Sequence, residues 1–86
     1  MKTAAEVQEM RNKYLDLAAK EFIEHITNAF YVEVSNSART CMSFKAPETH
    51  DKDLRDRICT RLVCLGFQAE YDPREFCYLV ALPSKV

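Results

Sequence analysis

Residues 30–35, FYVEVS, decide the fold. They combine aromatic and β-branched side chains, the composition of a half-buried strand. The turn-prone NSAR (36–39) separates them from a second such run, TCMSFK (40–45), so the two are expected to form a hairpin. Upstream, TAAE (3–6) puts a hydroxyl at a helix N-cap with a glutamate three residues later. A first helix is therefore expected from Thr3 to about Asn28 or Ala29. Downstream, KAPETHD (45–51) breaks the pattern, and a second helix is expected from 49–51 to Leu65, with Leu54, Ile58, Leu62 and Leu65 facing inward. Gly66, the only glycine, stands where a helix ends in a left-handed residue. FQAEY (67–71) and EFCYLVAL (75–82) then read as a second hairpin around Asp72 and Pro73, a type I turn pair.

The expected order is αββαββ, a single α+β domain over 1–86. Its two halves superpose at an offset of 36 residues, with Phe22 on Ile58, Ile26 on Leu62, Cys41 on Cys77 and Pro47 on Pro83. That pattern suggests an internal αββ duplication. Short right-handed connections favour a four-stranded antiparallel sheet of order 3-4-2-1 with both helices on one face, a circularly permuted ferredoxin-like sandwich. Met42, Phe44, Tyr78 and Val80 would face the helices. Cys41 and Cys77 would lie on the uncovered face with Arg39, Ser43, Lys45, Glu75, Leu79, Ala81 and Tyr31.

Composition narrows the function classes. With 48% hydrophobic residues the chain can build one core, and its 12 basic and 13 acidic side chains nearly cancel. No basic footprint for a phosphate backbone results, so no nucleic-acid partner is expected. The N-terminal stretch lacks an apolar signal region, and no run approaches the roughly 20 apolar residues of a membrane span, so the expectation is a cytoplasmic protein without membrane contact. Four cysteines form no CxxC pair. Cys59 and Cys64, five apart on a helix, point about 140° away from each other. Neither metal nor cofactor is expected, and all four thiols are expected to be free. A single glycine excludes a glycine-rich phosphate cradle, and nothing brings His25 or His50 to a particular cysteine. The chain therefore reads as a non-enzyme.

Two surfaces carry the functional expectation. A helix of about 26 residues is near 39 Å long, more than a small sheet covers. Val7, Met10, Tyr14 and Leu17 follow a 3, 4, 3 spacing before the apolar set shifts to Ala18, Phe22, Ile26 and Ala29. Residues 1–17 thus read as an extension for oligomerisation, although folding back of Val7 and Met10 onto the core is the competing reading. The uncovered sheet face, with Tyr31, Cys41, Cys77 and Leu79 inside a charged rim, is the second contact surface. The layout, with its TAAEV start, a helix ending in LGF and a final hairpin, resembles small uncharacterised bacteriophage accessory proteins. That resemblance implies a small non-enzymatic protein that binds a host or phage component in the host cytoplasm. The reading is a protein-binding adaptor or inhibitor that forms a homodimer or higher oligomer. The alternative is an oligomer that sequesters a small anion such as a nucleotide, through Arg39, Lys45, Arg57 or Arg61 with Tyr31 stacking on it.

Overall fold

The computed structural model describes residues 1–83. Helix α1 (Ala4–Asn36) is followed by strand β1 (Cys41–Lys45), helix α2 (Lys52–Cys64) and strands β2 (Gln68–Asp72) and β3 (Cys77–Ala81). The sheet is antiparallel with order β1-β3-β2.

The α+β class stands, but the four-stranded sheet does not. FYVEVS forms the last turns of α1 instead of a strand. The cause lies at both ends of the segment. Phe30 is the last member of a buried helical stripe, Leu15, Ala19, Ile23, Ile26 and Phe30, and its ring centroid lies 6.0 Å from that of Phe67. Beyond it, polar side chains add a second donor to the carbonyls of the last turns, which already accept backbone N–H bonds from four residues on. The Ser35 hydroxyl donates to the Tyr31 carbonyl at 2.8 Å, the Asn36 amide to Val32 at 3.0 Å and the Ser37 hydroxyl to Glu33 at 3.0 Å. The stretch that reads as a hairpin turn is therefore a helix C-cap. Valine in a helix costs only about 0.5 kcal/mol relative to alanine, which such capping and the burial of Phe30 offset. The permuted ferredoxin-like sandwich and the αββ duplication fall with the missing strand, because the first half supplies one strand and the second half two.

The other local signals act as their chemistry dictates. Thr3, in extended backbone, accepts from the Glu6 N–H at 3.2 Å and starts α1. Asp51 accepts from the Leu54 N–H at 2.9 Å and starts α2. The end of α2 is a Schellman motif: Gly66 takes φ +98°, its N–H donates to Val63, and the Phe67 N–H donates to Leu62. Leu65, expected inside with Leu54, Ile58 and Leu62, is 61% exposed. It occupies the C-cap, past the last turn that shares the inward stripe. At the β2–β3 turn the Asp72 carboxylate accepts from the Arg74 N–H at 2.9 Å, the Asx geometry that Asp-Pro favours.

Pairing fixes which side chains share a face. On the inner face Phe44, Tyr78 and Tyr71 form one row and Met42, Val80 and Ala69 another. Both helices cover this face, since Ile26, Phe30, Leu54, Ile58 and Leu62 belong to one buried cluster with Phe44, Tyr78 and Val80. The outer face carries three rows: Cys41, Ala81 and Gln68; Ser43, Leu79 and Glu70; Lys45, Cys77 and Asp72.

Candidate functional site

At 33 residues α1 is about 50 Å long and spans nearly the whole 55 × 25 × 23 Å molecule. Its buried stripe begins only at Leu15 and ends at Phe30. On the opposite side, Val7, Met10, Tyr14 and Leu17 are 59%, 64%, 61% and 57% exposed. Turning at 100° per residue, these four fall within one arc that points away from Leu15, Ala19 and Ile26. Val7 and Met10 do not fold back onto the core.

The buried stripe sets the roll of α1 and so the direction of the exposed row, and exposed ion pairs to α2 accord with it. Arg11 binds Asp51 at 3.1 Å and Asp53 at 2.8 Å across the first turn of α2. Asp16 accepts from Arg57 at 2.6 Å and from Arg61 at 3.0 Å. The hydrogen bond to Asp53 raises the Arg11 guanidinium further above its usual range. The Leu54 N–H, and then Arg11, hold the Asp51 carboxyl below its usual value. These contacts also disperse the cations that the sequence grouped as an anion site. Arg57 and Arg61 share Asp16, Arg39 lies 3.8 Å from Glu33, and Lys45 belongs to the far end of β1.

Of the residues expected on the uncovered sheet face, Cys41, Cys77 and Leu79 are there, with only Leu79 at the centre as a large apolar group. Tyr31 is not. It projects from the last turns of α1 and, with Val34, Leu65, Phe67 and Leu82, lines an apolar groove. Cys41 pairs with Ala81 and Cys77 with Lys45, so the two thiols sit at opposite ends of the β1–β3 ladder, roughly 13 Å apart at four strand residues and beyond disulfide reach. All four cysteines are free. Burial pushes the Cys59 thiol up, and partial burial with the nearby Asp72 and Glu75 does the same for Cys77. Cys64 is exposed beside Lys20, Ile23, Glu24, Arg61 and Leu65.

One cavity has no counterpart in the sequence analysis. Lys45, Pro47, His50, Arg55, Tyr71 and Phe76 line a pocket at the end of the sheet. They come from five separate segments, and no spacing rule joins them. His50 Nδ1 lies 2.8 Å from the Tyr78 hydroxyl, and its ring meets that of Phe22 edge-on at 4.7 Å. Among the described residues no three metal-ligating side chains cluster, and no helix is long and apolar enough to cross a membrane. Comparison with protein-family models, curated proteins and solved structures finds no match.

Proposed function

We propose that this chain is a non-enzymatic protein-binding adaptor or inhibitor that pairs with a second copy of itself through the outer face of α1. The observation that carries this reading is the exposed row Val7, Met10, Tyr14 and Leu17. Its 3, 4, 3 spacing is that of a two-heptad helix–helix seam, whereas a solvated helix face is polar.

Charge at the seam selects the orientation. The same spacing continues to Glu21 and Glu24, so parallel pairing sets each glutamate against its own copy. An antiparallel pair, with its two-fold axis level with residue 12, sets Val7 against Leu17 and Met10 against Tyr14 of the second copy. It also brings Glu6 near Lys20, and Lys2 near Glu21 and Glu24. Eight half-exposed apolar side chains at about 1 kcal/mol each give a gross gain on the order of 8 kcal/mol before association costs. The resulting dimer dissociates in the micromolar range or above.

Joint replacement of Val7 and Met10 by Glu places four charges in the seam and yields a folded monomer in sedimentation. Leu79→Arg, on the open sheet face, leaves the dimer intact. The opposite pattern of the two variants assigns self-association to the sheet and refutes the helix seam.

A further inference from the structure

We infer that the pocket between the end of β1, the start of α2 and the β2–β3 turn binds a small planar aromatic anion, with the anionic group held by Lys45 and Arg55 and the ring seated against Phe76. The cavity is about 420 Å³, within the roughly 300–1,000 Å³ of small-molecule sites. None of its lining residues belongs to α1, so the inference does not depend on the pairing of that helix.

Three observations carry it. The first is charge. Lys45 and Arg55 both line the pocket, whose lining holds one acid, Glu48, while Asp51 nearby also interacts with Arg55. Among the described residues neither cation is in an ion pair, as Lys20, Lys52 and Arg74 elsewhere are not, whereas Arg11, Arg39, Arg57 and Arg61 all are. The second is the pose of Arg55. Its guanidinium stands 4.3 Å over the Tyr71 ring, which holds the side chain by a cation–π contact and leaves its N–H fork for another acceptor. The third is Phe76. It adopts φ +52° in the left-handed region, which a bulky aromatic seldom occupies, and its ring is 62% exposed. Its carbonyl accepts the Ala46 N–H at 2.8 Å, a backbone bond that a glycine would make equally well. Fold stability therefore gives no reason for phenylalanine at this position, and an aromatic wall beside two cations gives one. His50 also lines the pocket, and desolvation keeps its imidazole below the usual pKa, so its ring adds an uncharged flank.

Phenyl phosphate is the probe, titrated into the full chain and followed by backbone amide shifts, with inorganic phosphate and benzamide as single-feature controls. The expected result is saturable shifts at 45–50, 55, 71 and 76, with at least tenfold tighter binding than either control. Lys45→Gln and Arg55→Gln each weaken binding roughly tenfold, the loss of one charge-assisted contact. Phe76→Gly also weakens it while raising the melting temperature, because glycine relieves the left-handed backbone. Lys45 is exposed, so its replacement leaves folding intact if Arg55→Gln does not. The inference is overturned by any of four results: no saturable shift at these residues, a control that binds as tightly, unchanged affinity in Lys45→Gln, or unchanged affinity in Phe76→Gly.

Discussion

His50 is the residue whose surroundings most directly set a response to pH. Desolvation lowers its pKa from 6.5, against a smaller opposing pull from Asp51. Burial holds the Tyr78 phenol well above its usual range, so Tyr78 stays protonated and bonded to the ring. The unfolded chain therefore binds a proton near pH 6.5 that the folded chain binds only at lower pH. Stability is complete above that value and falls with acidification through the window beneath it. A melting temperature that declines as the pH falls through and below 6.5, with a flatter profile in His50→Gln, is the expected outcome of thermal melts. At Gly66 the prediction is purely conformational. A Cβ meets no atom within 4 Å, so Gly66→Ala costs about 1 kcal/mol in urea unfolding through the left-handed φ of +98° alone.

At the level of elements, α1 separates what local sequence encodes from what it does not. The Thr3 cap, the Asp51 cap, the glycine after α2 and the turn at Asp72-Pro73 are legible because each is a bond within a few residues of its signal. FYVEVS misleads because its β-rich composition outweighs the local capping by Ser35, Asn36 and Ser37, and because the other contact that holds it helical, Phe30 against Phe67, joins distant parts of the chain. The exposed row Val7, Met10, Tyr14 and Leu17 was readable from its spacing, but the pocket beside Phe76 was not, since five segments meet there only in three dimensions. Val32 tests the helix directly. It is 59% exposed, so Val32→Ala raises stability by about 0.5 kcal/mol if the residue is helical. In a strand the same change lowers stability, and urea unfolding reads the sign.

The whole molecule is a small two-layer core mounted on the middle of a helix that outruns it. Truncating Phe30 to Ala removes the side chain that joins the helix to the α2–β2 corner and costs roughly 3–5 kcal/mol in chemical denaturation, as for other buried aromatics. The exposed row on the outer side of that helix is the central functional claim, and it turns on mass. Light scattering from roughly 10 µM to about 1 mM, which reaches well above the micromolar floor that the gross gain sets, measures it most directly. A mass rising from the 10.0 kDa of one chain toward twice that value is the predicted result. A constant 10.0 kDa throughout contradicts the pairing of α1.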